Sequence, residues 1–431
     1  MKRLVLCFDG TWNAVKDPAT VTNVVKFAQA IKTTAADGTK QVVYYNSGVG
    51  SGGKLDRILG GVFGFGLQGN VKRGLAFLCL NYEGPDDEQR EARTIHLDGV
   101  DYDDGDEIYL FGFSRGAYSA RALCGVIGGA GIPRQMDFHE LEKVWTHYRL
   151  KPELRPKDVA EVSTHAWHPR VKCIGVWDTV GSYGIPSGFG LGALGRVFVS
   201  WMRGFHDSEF GRHIDVGLHA MAADETRRPF VPTIWTKRKD GAPLHGQVEQ
   251  VWFPGAHSNV GGGYEHCGLS DLTLAWMIAR VSELTPLEFD EREVRRRLWP
   301  CAACTLYRSN RGWGPSRWWP HVRKGLSEYA ARRRRLLRRR MGWNSEHINE
   351  KVHWSVIERQ RLAATLVEGS PSGKYAPAGL PNVPSDRVAE CTELERRIIE
   401  HCRGEAGDGP PKEPPPCNCI AAQRRATEPA A

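Results

Sequence analysis

Three residues in this chain have the types needed for nucleophilic acyl chemistry: Ser114, Asp178 and His257. Ser114 is the centre of Gly112-Phe113-Ser114-Arg115-Gly116. A serine hydroxyl attacks a carbonyl only when a base takes its proton, and an imidazole oriented by a carboxylate is such a base. Asp178 lies in Val176-Trp177-Asp178-Thr179, and His257 in Pro254-Gly255-Ala256-His257-Ser258-Asn259. The reaction would also need two backbone donors for the oxyanion. Arg115 would supply one N–H, and Gly10 or Thr11, in the turn after the first strand, the other. The plainer alternatives are an ordinary serine in a tight turn, an Asx-turn at Asp178, and a loop histidine bonded to nearby backbone. His206, His213 and His219 read as surface or core histidines in or near a helix. His266 shares the loop of His257 but lies farther from the strand end.

The elements that would position these residues are legible as apolar runs. Ile108–Phe113 is apolar without alternation, as in a strand buried on both faces of a parallel sheet. Arg115–Ile127 follows as a helix packed through Ala117, Ala120, Ala122 and Leu123. The glycines around Ser114 would let strand and helix pass closely through a strained turn. Val171–Trp177 is a strand ending at Asp178, and Val248–Phe253 a strand ending before the His257 loop. Both residues then sit beyond the carboxyl ends of strands, where ligands bind in open α/β sheets. The order Ser, Asp, His is that of α/β hydrolases.

Elsewhere, Arg3–Phe8 and Gln41–Tyr45 read as strands. Thr22 or Asn23 would cap a helix through Val24, Phe27, Ala28 and Ile31. Asn70–Leu80 and His139–Tyr148 read as helices, and 84–106 as a surface loop. Asp207–Ala223 reads as a helix with Ile214, Leu218 and Met221 on one side. Phe230–Trp235 reads as a strand, and Ser270 as the N-cap of a helix through Leu274, Met277 and Val281. The fold class is α/β: hydrolase-like, a mostly parallel sheet flanked by helices, with an Arg/Trp-rich C-terminal addition. The expected divisions are a catalytic core over 1–285, an Arg/Trp-rich part over 286–385 on or capping it, and a disordered tail over 386–431.

Composition narrows the function classes. The 431 residues carry a net charge of +8, much of it between Arg292 and Arg340. No run of 18 apolar residues suggests a membrane-spanning helix. The apolar run after Met1 is too short for a signal peptide and reads as a strand. Eleven scattered cysteines read as reduced thiols of a protein cytoplasmic in its producing cell, with any export independent of a signal peptide. Gly48-Val49-Gly50-Ser51-Gly52-Gly53-Lys54 imitates a phosphate loop. Leu55 stands where Ser or Thr would hold magnesium, and no acidic residue follows at dinucleotide spacing, so no cofactor is expected. Cys301-x-x-Cys304 and Cys417-x-Cys419 lack a second pair at zinc spacing, so no metal is expected either.

Four linked motifs carry a family resemblance: Phe8-Asp9-Gly10-Thr11-Trp12-Asn13, Gly112-Phe113-Ser114-Arg115-Gly116-Ala117, Val176-Trp177-Asp178-Thr179-Val180, and the run from Trp252 to Tyr264. Together they resemble the catalytic domain of the type VI secretion phospholipase effectors. Ala222-Asp224-Glu225-Arg227 and Tyr375-Pro377-Leu380-Pro381 fit it too. The likeness covers roughly residues 1 to 385 and is densest from 1 to 280. It implies a Ser-Asp-His lipid esterase with the triad on Ser114, Asp178 and His257. The implied partners are a lipid or ester substrate, an anionic membrane surface and a secretion-system component; nucleic acid is not expected. The competing class is a non-enzymatic module that binds anionic lipid or nucleic acid through Arg332–Arg335 and Arg338–Arg340.

Overall fold

The strands at the centre of the chain are apolar on both sides because helices cover both faces of one sheet. The structure, a computed structural model, describes residues 1–10, 20–48, 62–149, 166–180, 209–309, 323 and 347–403, with short breaks at 87, 89, 98, 228–229, 239, 363–364, 369, 378–379 and 381–382. Thr11, the glycine loop from Val49 to Lys54, His206 and Arg332–Arg340 lie outside the described residues.

In β1 (Arg3–Phe8), Leu4, Leu6 and Phe8 face one core cluster and Val5 and Cys7 the other. In β4 (Val100–Phe113), Ile108 and Leu110 join the first cluster, and Tyr109, Phe111 and Phe113 the second. Period-two alternation therefore exists in these strands, but both sets are apolar. The first cluster is closed by α2 (Val62–Asn81), α3 (Arg115–Ala130) and α4 (Phe138–Arg149). The second is closed by α1 (Asn23–Ala30) and the long α6 (Gly268–Leu284).

The described sheet has nine strands. Its path runs β13 (Val388–Ala389), β10 (Glu350–His353), β9 (Gln247–Phe253), β8 (Ile214–Ala222), β7 (Pro169–Trp177), β4, β1 and β2 (Gln41–Asn46). All these pairings are parallel; only β3 (Thr94–Leu97) runs antiparallel, against the start of β4. Phe8 pairs with Gly112, Phe113 with Trp177, and Ala222 with Phe253. The register therefore brings the carboxyl ends of β1, β4, β7, β8 and β9 to one edge. Short pairs β5 (Ile132–Pro133) with β6 (Ala166–Trp167), and β11 (Thr365–Val367) with β12 (Ser370–Ser372), stand apart from it.

Several expectations are corrected. The supposed helix at Asp207–Ala223 contains strand β8. Val216, Leu218, Ala220 and Met221 are all buried, and in a doubly covered strand the larger apolar residues fell at helical spacing by accident. Phe230–Trp235 is not a ladder strand. Pro232 has no N–H, and this segment instead meets the buried Gln250 amide, which accepts from Trp235 N and donates to Trp235 O. The supposed loop 84–106 holds β3 and the first half of β4, joined through Gly99 at φ 74°. Ser270 lies inside the first turn of α6, whose N-cap is Cys267.

Residues 388–403 depart from the expected tail. After α8 (Trp354–Arg361), Leu394, Ile398, Ile399 and Cys402 form an apolar stripe on α9 (Glu393–Arg403), which packs against α6 and α7 (Glu291–Arg297). Charged residues on its other face conceal that stripe in composition.

Candidate active site

The turn between β4 and α3 is a strained elbow. Ser114 adopts φ 59° and ψ −119°, a conformation costly for a residue with a side chain. The packing around it leaves no room for side chains at the flanking glycines. A Cβ on Gly112 would lie 2.5 Å from the Gly116 carbonyl, and one on Gly116 would lie 2.0 Å from the Phe8 carbonyl. The elbow is held from the side by the Ser114 N–H, which donates to Trp177 O at 3.0 Å.

From this turn Ser114 Oγ reaches His257 Nε2 at 2.8 Å, and His257 Nδ1 reaches Asp178 Oδ2 at 2.6 Å. Structure thus brings together the three residues singled out in the sequence, although they are 64 and 79 positions apart in sequence. Asp178 is fully buried and Ser114 and His257 are 8% and 5% exposed. Asp178 itself takes φ 42° at the end of β7. Ala222 N donates to its Oδ1 at 3.0 Å.

His257 opens the short helix α5 (His257–Gly261), where a plain loop was expected. Its ring lies between Phe113, with centroids 4.7 Å apart, and Phe230, edge-on at 4.9 Å. The backbone leading into it is pinned by Asp224 and Glu225, two carboxylates just past β8. Asp224 Oδ2 accepts from Gly255 N at 2.7 Å and from the Tyr375 hydroxyl at 2.6 Å. Glu225 Oε2 accepts from His257 N at 3.2 Å. Arg227 pairs with Glu225, and Ser309 Oγ donates to it at 2.6 Å. Sequence reading set Asp224 at the edge of the supposed Asp207–Ala223 helix and noted Glu225 only as part of a motif. Their signal is the same one that found Asp178: carboxylates directly after a buried strand.

The electrostatics suit a neutral imidazole beside an ionised carboxylate. Burial lowers the pKa of His257, and the bond to Asp178 only partly offsets this. Burial alone would raise Asp178. The opposing Arg323 charge and the His257 bond win, and they hold its carboxyl well below the usual carboxylate range. Glu225 is held at about 2, its burial outweighed by Arg227.

Arg323 had no signal in the sequence. It is 3% exposed and grips Asp178 with both terminal nitrogens: Nη1 to Oδ1 at 2.5 Å and Nη2 to Oδ2 at 2.9 Å. It also donates to the carbonyls of Ala222 and Phe230.

On the β1 side, Asp9 is buried in the turn beside the elbow. Its carboxylate accepts from Gly10 N at 2.6 Å, Thr22 Oγ1 at 2.7 Å and the Tyr45 hydroxyl at 2.7 Å. Burial raises its pKa to about 6 despite these donors. The Gly10 N–H is therefore engaged by Asp9. Arg115 occupies the first position of α3. The rival histidines go elsewhere. His213 lies against Cys124, its Nε2 2.9 Å from the Cys124 carbonyl oxygen, and His266 stacks on Tyr307. His219 is fully buried in β8, accepts from Thr179 N at 3.2 Å, and has its pKa lowered by burial to about 3.

Comparison with known proteins adds relatives of uneven likeness. An uncharacterized protein of Saccharomyces cerevisiae, YEL023C, is 27% identical over 260 residues, spanning 54% of this chain and 33% of that protein. Among solved structures, an uncharacterized protein from Pseudomonas aeruginosa is 17% identical with a TM-score of 0.40, over 68% of this chain and 47% of the other. The structure of the Tle1 effector bound to the VgrG spike from the type 6 secretion system is 18% identical with a TM-score of 0.32, over 62% of this chain and 52% of the other. The chain thus spans a third of the yeast protein and about half of each solved chain. The family described as T6SS, phospholipase effector Tle1-like, catalytic domain matches residues 2–280. With nearly two thirds of its length so matched, the chain belongs to the Tle1-like phospholipase effector family of type VI secretion.

Proposed function

We propose that the chain is a serine ester hydrolase that cleaves acyl esters of phospholipids, with Ser114 as nucleophile, His257 as base and Asp178 as the orienting carboxylate. The observation that carries this reading is the continuous line Ser114 Oγ, His257 Nε2, His257 Nδ1, Asp178 Oδ2, with the serine on a positive-φ elbow. Ser114 Oγ attacks the acyl carbonyl as His257 Nε2 takes its proton. The oxyanion gathers at the amino end of α3, where the Arg115 N–H is one donor and Thr11 stands in sequence as candidate for the second. His257 then protonates the departing alcohol, leaving an acyl ester on Ser114. Water, deprotonated by the same imidazole, releases the fatty acid and restores the serine.

A panel of phospholipids and soluble esters tests the reaction class. Free fatty acid should appear with the parent and be absent with Ser114→Ala. Release of phosphorylated head group with the acyl chains intact would contradict acyl-ester cleavage.

Because burial lowers the His257 pKa, the neutral base should persist below the ordinary histidine value of 6.5. The acid limb of kcat/KM on a soluble ester is therefore expected below pH 6.5. A limb above pH 7 would contradict the neutral, desolvated imidazole.

Membership of an effector family supports delivery by a type VI apparatus, whose spike components are the partner class. Loss of the protein from the culture medium of a sheath-deficient producer would agree with this, and unchanged release would contradict it.

A further inference from the structure

Resting on the triad reading above, we propose that Arg323 is a positioning residue for catalysis: it clamps Asp178 and keeps the Asp178–His257 pair unprotonated. Among the described residues, the Asp178 carboxylate has four donors. Arg323 Nη1 and Ala222 N serve Oδ1, while Arg323 Nη2 and His257 Nδ1 share Oδ2. A two-pronged guanidinium fixes the plane of the carboxylate, and so fixes which lone pair faces the imidazole. Its anchors on the far side are the carbonyls of Ala222 and Phe230. Ala222 ends β8 and Phe230 carries the ring that flanks His257, so Arg323 ties the carboxylate to the wall of the site.

The charge has a second effect. Asp178 and Arg323 are both buried, so their interaction is poorly screened. With the cation present, the carboxylate is already neutralised and has little excess charge to stabilise an added proton on its neighbour. Without it, the buried carboxylate would keep only the Ala222 N–H and His257 as donors, with His219, Glu225 and Arg227 as the other titratable or charged groups around the pair. The pair would then hold a proton at higher pH, whichever of the two carries it. A base that is already protonated cannot accept the serine proton.

Arg323 also lies beyond the family match at residues 2–280. The carboxylate of the triad is therefore completed by a residue from the chain that follows the matched catalytic segment. This makes the site depend on that later part of the chain.

The test uses the full chain with a soluble ester. Arg323→Met is expected to lower kcat/KM at pH 7 by about 10²-fold through misplacement of the carboxylate. Its acid limb should rise by about one pH unit or more. Arg323→Lys keeps the charge but loses the fork, so its limb should lie between those of the parent and the Met variant. An activity loss with an unmoved acid limb, or no loss at all, would overturn the proposal. If the Met variant does not fold, the Lys variant decides: an upward shift in a folded protein supports the clamp, and the parental limb contradicts it. Ser114→Ala is measured beside them. An active Ser114→Ala sinks the triad itself, whereas an inactive one with an unmoved Arg323 limb sinks only the clamp.

Discussion

Ser114→Ala, His257→Ala and the double variant are each expected to lose roughly 10⁴-fold or more in turnover on an ester, and to lose about the same amount. The three groups act as one unit, so removing a second member after the first leaves little further to lose. Far smaller single losses that multiply in the double variant would mean the residues act independently. Ser114→Ala should fold as the parent does, because the parent hydroxyl donates into a buried site without filling a core cavity. His257→Ala removes a ring packed between Phe113 and Phe230, so some loss of stability should accompany its inactivity.

Gly116→Ala should have the next largest effect, through a different cause. A Cβ there would meet the Phe8 carbonyl at 2.0 Å and the Asp9 carbonyl at 2.6 Å, both backbone atoms that no rotamer change can move. Either α3 or the end of β1 must shift, and both border the elbow. The expected cost is about 3 kcal/mol or more in stability, with loss of ester hydrolysis. Gly129→Ala is the control on the same helix, since a Cβ there meets nothing within 4 Å. It should be neutral or slightly stabilising. Equal unfolding midpoints for the parent and Gly116→Ala would contradict the close approach of helix and strand.

The parts of the site that were legible in sequence share one cause. In a parallel sheet the central strands are buried on both faces, so they stand out as uninterrupted apolar runs, and functional residues follow at their carboxyl ends. Ile108–Phe113, Val171–Trp177 and Val248–Phe253 each led to one member of the proposed triad. The same logic failed at β8 because Ile214-Asp215-Val216-Gly217-Leu218-His219-Ala220-Met221-Ala222 includes small and polar residues that broke the apolar run. Asp224 and Glu225 were passed over with it, since their importance depends on their lying past a strand. Arg323 was hidden for another reason. It comes from an arginine-rich stretch in which nothing in the sequence sets it apart from the other arginines, and only the packed fold reveals its partner. The stripe on α9 was hidden likewise, by alternating with arginine and glutamate.

The rest of the site shows how a mobile chemistry is held by fixed groups. The His257 backbone rests on Glu225, and its neighbour Gly255 rests on Asp224, which Tyr375 also holds. These contacts come from strand ends and from the chain beyond residue 280, and so preorganise the imidazole before substrate arrives.

The central claim is that Ser114 is an activated nucleophile. Its most direct test is labelling with a serine-directed fluorophosphonate, followed by mapping of the modified peptide. The account predicts one adduct, on Ser114, absent from Ser114→Ala and strongly slowed in His257→Ala. An adduct on another serine, or labelling of Ser114→Ala at the parent rate, would contradict it.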